Sequence, residues 1–252
     1  MSEPILYEMR RDAAWITLNQ PEKRNALSDE IVAGLLQCLR RAIGADAART
    51  IVVTGAGSAF CAGADLKSGG VKAADEENPF VSVMKTIWEC PKPVIGRING
   101  HAFGGGVGLA AACDITVAAD NAVFSFSEVR VGVIPAMISV VVIPKLGIQN
   151  AMWLFLTGER FTAQRAVDLG LVQRAVPAAD LDATIDEVTG MIRLGGPIAI
   201  REAKQLVRRI PELSMDAGFR YTARKIGELF ASDEAAEGMR AFLEKRKPSW
   251  AE

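Results

Sequence analysis

Gly100-His101-Ala102-Phe103-Gly104-Gly105-Gly106-Val107-Gly108-Leu109-Ala110-Ala111-Ala112-Cys113-Asp114 is the stretch that says most about this chain. Upstream, Pro91 and Pro93 break the chain before a predicted strand, Val94–Ile98. Three glycines then lead into a predicted helix of small residues, Val107–Ala112. The first N–H groups of a helix have no internal partner and stand at the positive end of its dipole. Glycine lets a ligand come close to that backbone. Such a helix start suits an anion, or an oxygen on which negative charge develops.

The flanking sequence gives the surroundings. Trp15–Leu18 predicts a strand closed by Asn19-Gln20-Pro21. Ser28 is a good N-cap, with Asp29 and Glu30 in the first turn and an apolar stripe at Ile31, Val32, Leu35, Leu36, Leu39 and Ile43. Ile51–Thr54 predicts a buried strand ended by Gly55-Ala56-Gly57, and Asp114–Ala118 and Ala122–Phe126 predict two more. Strand and helix alternate, as in an α/β domain with parallel pairing. After about Ile148 helical periods dominate, with N-cap candidates at Thr162 and Ser232 and no strand signal over Met215–Lys247. We expect an α/β core over residues 1–195 and a helical region over 196–252. The polar segment from Gly69-Gly70 to Pro79 is expected to be a mobile loop.

Composition narrows the function classes. Half of the 252 residues are hydrophobic and 23% are charged, which suits a globular chain. Lys plus Arg is 29 and Asp plus Glu is 30, so the charge balance offers no global grip on nucleic acid. Met-Ser-Glu-Pro starts the chain without a basic segment and apolar run, so no secretory signal and a cytoplasmic location are expected. The apolar runs Ile138–Ile143 and Ala110–Ala112 fall short of the roughly 18–20 residues that span a bilayer, so no membrane partner is expected. The chain has one histidine and four cysteines without a CxxC pair; no metal site is expected, and the thiols read as buried.

Two segments imitate dinucleotide-binding loops. In Ile51–Gly57 the third glycine should stand at position 60, where Phe60 obstructs close helix–strand packing. Gly106-Val107-Gly108-Leu109-Ala110-Ala111 matches the pattern, but no acid follows about 20 residues on to read a ribose, and Asp120 comes too early. No phosphate-loop lysine follows either cluster. The other reading makes both loops donors to one oxygen: Phe60-Cys61-Ala62-Gly63-Ala64-Asp65-Leu66 after a strand, and Gly104-Gly105-Gly106 at a helix start. Taken singly, each is also a tight turn with close packing. A third element is Ser125-Phe126-Ser127-Glu128-Val129-Arg130 before Gly132-Val133-Ile134-Pro135. Glu128 is read as ending an alternating strand among apolar residues, a carboxylate with a pKa raised for acid/base work. An ion pair with Arg130 is the competing reading. His101 reads as a turn residue, since no nucleophile elbow exists for it to serve.

Together these elements resemble the crotonase-like (enoyl-CoA hydratase/isomerase) family, from Ile16-Thr17-Leu18-Asn19-Gln20-Pro21 to Phe242-Leu243-Glu244-Lys245-Arg246-Lys247. The glycine stretch, Arg24-Asn25-Ala26-Leu27, Ala62–Lys67 and Glu128 before Gly132 carry the likeness. The resemblance implies a spiral of β-β-α units with a helical C-terminal trimerisation region. It implies an acyl-CoA thioester whose oxygen receives the N–H groups of Ala64 and Gly105 while Glu128 moves protons. Arg24, Ala26, Ala62, Asp65, Leu66 and Lys67 match the family's adenine and pantetheine contacts. Phe242 and Lys245 match positions that reach CoA bound to a neighbouring subunit in a homotrimer or dimer of trimers. No cofactor is implied beyond the CoA of the substrate. Gly108 stands where hydratases of the best-known type carry a second glutamate. Water addition to a 2-enoyl-CoA, branched ones included, is the favoured activity, because Ser127–Ser139 is closer to hydratases of glutaconyl-type thioesters. Migration of a 3-enoyl-CoA double bond, or acyl-CoA binding with little turnover, remains open. Ala136, where dienoyl-CoA isomerases carry an acid, counts against that activity.

Overall fold

The computed structural model of the protein describes residues 3–65 and 78–251. β1 (Ile5–Arg10) and β2 (Ala13–Leu18) pair antiparallel. α1 (Asp29–Gly44) follows, capped where the Ser28 hydroxyl accepts from the Ile31 N–H. Its buried stripe includes Ile31, Val32, Leu35 and Leu39, most of the stripe read from the sequence. Three strand pairs come next. They are β3 (Thr50–Gly55) with β4 (Ala59–Cys61), β5 (Val94–Ile98) with β6 (His101–Phe103), and β7 (Ile115–Ala119) with β8 (Val123–Ser125). Each pair is followed by a helix: α2 (Pro79–Glu89), α3 (Gly105–Ala112) and α4 (Ala136–Thr157). With β9 (Arg160–Thr162) and β10 (Arg174–Val176) added, the first strand of each pair enters a six-stranded sheet of order β1-β2-β3-β5-β7-β10, and the second a four-stranded sheet of order β4-β6-β8-β9. Every β-β-α unit thus advances one strand in each sheet, and the unit-to-unit pairings are parallel. This is the spiral that the resemblance implied.

Several boundaries differ from the sequence reading. α3 begins at Gly105, two residues earlier than expected, because the orphan N–H groups of its first turn tolerate glycine. β9 (Arg160–Thr162) and β10 (Arg174–Val176) lie where only helical periods were visible; three residues are too few for alternation to show. β8 stops at Ser125, so Glu128 sits in a 3-10 turn, Ser127–Val131, not at a strand end. His101 opens β6 instead of occupying a turn. Thr162 and Ser232 do cap helices, accepting from Arg165 N–H and Ala235 N–H. Cys61, Cys90 and Cys113 are buried, but Cys38 is only partly so. Burial pushes the Cys61 thiol up to about 12.

Among the described residues, α4 alone is long and apolar enough to cross a membrane by length and composition. The sequence reading counted uninterrupted apolar runs and so passed over it. Gly147, at φ 72° and ψ 162°, breaks it into 136–146 and 148–157. Each piece spans roughly 15 Å, about half a bilayer core.

The chain divides into two compact units, Met1–Cys90 with Val94–Ile185, and Pro91–Pro93 with Asp186–Glu252. Both sheets belong to the first. Residue 196, the expected start of the helical region, falls inside the second. That unit holds the end of α6 (Leu181–Arg193), with α7 (Pro197–Arg209), α8 (Met215–Phe230) and α9 (Asp233–Leu243); the helix before them is α5 (Ala163–Asp168). Met215–Lys247 contains no strand, as read from the sequence. The Glu234 carboxylate caps α7, accepting from the Ile198 and Ala199 N–H groups at 2.8 Å each.

Candidate active site

Three loops of the first unit meet at the start of α3. The Arg24–Leu27 loop is shaped by positive φ at Arg24 (53°) and Asn25 (54°). Asn25 is fully buried and holds the loop in place. Its amide donates to Ala56 O (2.9 Å) and Ala59 O (2.8 Å), and its carbonyl accepts from Gln20 N–H (2.9 Å). The loop then clamps the segment after β4: Ala62 N–H donates to Arg24 O (3.0 Å), and Leu27 N–H to Gly63 O (2.8 Å). Leu27 and Ala64 form a parallel bridge. Because Leu27 N–H is spent on Gly63 O, the N–H of Ala64 points away from the bridge.

The second donor comes from α3. Gly104 is its N-cap, with a φ of 50° that glycine takes without strain, so Gly105 is the first helical residue. A methyl group on Gly63 would lie 3.3 Å from Gly105 N, which shows how closely the two loops approach. Ala64 is exposed and Gly105 half-buried. Among the described residues, neither N–H has an assigned acceptor. The structure therefore brings Ala64 and Gly105 to one locality with outward donors, as an oxyanion hole requires.

Glu128 stands over this helix start. A methyl on Gly104 would sit 3.0 Å from Glu128 Oε1, so the carboxylate packs on the residue next to the Gly105 donor. Its Oε2 is buried without a hydrogen-bond partner. Burial raises its pKa, opposed by a backbone hydrogen bond. The competing ion pair does not form: the Arg130 guanidinium instead donates to Thr157 O. One helical turn along, a methyl on Gly108 would lie 2.1 Å from Ile138 Cγ2. Ile138 is buried against α3.

A cleft of about 580 Å³ opens on the outer face of the four-stranded sheet, lined by Arg24, Ser58, His101, Phe103, Arg160 and Thr162 among others. β6 alternates, so His101 and Phe103 face out while Ala102 is buried. Their rings stack at 5.9 Å, and the Arg160 guanidinium lies 5.6 Å from the Phe103 ring. Sequence reasoning missed Arg160 because β9 was invisible to it. It also left Asn25 out of the site, although the residue lies within a quoted motif.

Residues 8–252 match the family described as enoyl-CoA hydratase/isomerase. The chain belongs to this family. It is similar to the carnitinyl-CoA dehydratase of Proteus mirabilis, at 33% identity over 99% of each chain. Among solved structures it is similar to an enoyl-CoA hydratase of Mycobacterium smegmatis, at 31% identity and a TM-score of 0.91 over 100% of each chain. An enoyl-CoA hydratase/isomerase of Marinobacter aquaeolei gives 32% identity and 0.91, also over 100% of each. Measured against the resemblance, Arg24, Ala26, Ala62, Asp65, Ala64, Gly105 and Glu128 all lie on the first unit, on the loops, helix start and turn just described. Leu66 and Lys67 fall outside the described residues, as does most of the Gly69–Pro79 loop. Phe242 and Lys245 lie on the second unit, both exposed.

Proposed function

We propose that the chain is an enoyl-CoA hydratase, adding water reversibly to a 2-enoyl-CoA thioester, branched substrates included. One observation carries the reading: a desolvated Glu128 carboxylate, one oxygen of it buried without a partner, seated on Gly104 beside the Gly105 donor. The thioester oxygen accepts from Ala64 N–H and Gly105 N–H. Water then adds its oxygen to C3 while Glu128 takes the proton it releases. The C2–C3 electron pair moves toward the carbonyl, and the enolate charge falls on the held oxygen. Glu128 returns its proton to C2 as the thioester reforms, so one water is consumed and the enzyme is restored. A carboxyl pKa above the ordinary glutamate value of 4.5 suits a group that must hold a proton between two steps. Each preorganised donor in such a hole contributes about 3–4 kcal/mol. The reaction calls for no cofactor beyond the CoA of its substrate.

Arg24, Ala26, Ala62, Asp65, Leu66 and Lys67 are proposed to hold the adenine and pantetheine. Arg24 and Arg160 have no carboxylate partner among the described residues, which fits the cleft to phosphate oxygens. Phe242 and Lys245 are proposed to reach CoA on a neighbouring subunit of a cytoplasmic trimer or dimer of trimers. Exposed Met215, Phe219, Phe230 and Leu243 on the second unit support an interface there.

Double-bond migration is the second reading, favoured by Gly108 and Ile138. Glu128 would take a proton from C2 of a 3-enoyl-CoA and return it to C4, consuming no water. A panel of crotonyl-, 3-enoyl- and 3-methylglutaconyl-CoA, followed for both water addition and migration, separates the readings. Water addition to a 2-enoyl-CoA is the expected result. Migration alone selects the isomerase, and neither reaction leaves an acyl-CoA binder.

A further inference from the structure

Gly104, the N-cap of α3, and Gly108, inside the helix, are four residues apart. The first is covered by the Glu128 carboxylate, and the second by Ile138 of α4. Position 108 holds no space of its own. A methyl there would lie 2.1 Å from Ile138 Cγ2 and 2.6 Å from Ile138 Cβ. Ile138 is 3% exposed, so its side chain has little room to retreat. The volume into which a side chain at position 108 would project from α3 is therefore filled with hydrocarbon, four residues along from the glycine that Glu128 covers.

Water addition and double-bond migration both use the proton carried by Glu128, but only the first needs a water held near it. We infer that Ile138 is a specificity-determining positioning residue: by filling this volume it removes a water-holding group from the side of Glu128 and sets the ratio of water addition to double-bond migration. The inference rests on the function proposed above and deepens it. It also assigns position 108 its identity: glycine there is the counterpart of isoleucine at 138, and a side chain at 108 needs a smaller residue at 138.

The test compares Ile138→Thr with Ile138→Val. Both keep the branch at Cβ, and threonine adds a hydroxyl able to hold a water. Rates of water addition to crotonyl-CoA and of migration in a 3-enoyl-CoA are measured on the same preparations, with thermal unfolding as a check on folding. The ratio of addition to migration is expected to rise about tenfold in Ile138→Thr, the scale of one net hydrogen bond, and to stay near the wild-type ratio in Ile138→Val. The exchange pair Gly108→Glu with Ile138→Gly is expected to shift the ratio in the same direction, and it tests the idea should threonine destabilise the helix contact. A wild-type ratio in both folded variants overturns the inference alone. Absence of both reactions in the wild type overturns it together with the proposed function.

Discussion

Gly104 and Gly108 both pack closely under a neighbouring side chain, yet the two covering surfaces differ in kind. At Gly104 it is a carboxylate with one oxygen buried and unpartnered. At Gly108 it is the side chain of Ile138. Packing alone explains the second contact. It does not explain the first, because burying a carboxylate without a partner costs free energy that an apolar residue would not incur. A carboxylate held against that cost points to chemistry at the start of α3.

The largest expected effect breaks the polar side of this comparison. Proline is tolerated at the first position of a helix because the N–H it lacks has no helical acceptor. Gly105→Pro should leave α3 folded and remove one oxyanion donor. We expect kcat to fall by about 10²–10³-fold, measured alongside circular dichroism. A folded variant with unchanged kcat would reassign the donor. A smaller effect reads the cost of burying Glu128. Its folded pKa is raised, so native stability is fullest below the unfolded value near 4.5 and is lost as pH rises through the folded value. Glu128→Gln, which carries no charge to bury, should therefore unfold later than wild type at pH 8, by about 2 °C, and show no gain at pH 4. A gain of equal size at both pH values would mean that packing, not desolvation, is responsible.

Much of the first turn of α3 was legible in the sequence. Three adjacent glycines at a strand-to-helix junction have few physical uses, and Glu128 among apolar residues signalled a desolvated carboxylate. The strand Val94–Ile98 and the caps Ser28, Thr162 and Ser232 followed from local chemistry. The contact of Ile138 with Gly108 was not legible, because 30 positions separate them and only tertiary packing joins them. Asn25 stood in the sequence only as a member of the Arg24–Leu27 motif; its three hydrogen bonds show it to be the post that fixes that loop. Arg160 and His101 gained meaning only once β6 and β9 proved to share one sheet. Pairing between short strands distant in sequence leaves no periodic trace.

The central claim is that Glu128 carries the proton of an enolate held by Ala64 and Gly105. Turnover of an enoyl-CoA in D₂O by wild type and Glu128→Gln, scored by deuterium at C2 of the product, tests it most directly. The account predicts one deuterium at C2 with wild type, and for Glu128→Gln a rate lower by at least the ~10²–10⁴-fold typical of a lost general acid or base, with acyl-CoA affinity retained. Deuterium appearing at C2 at the wild-type rate in Glu128→Gln would contradict it.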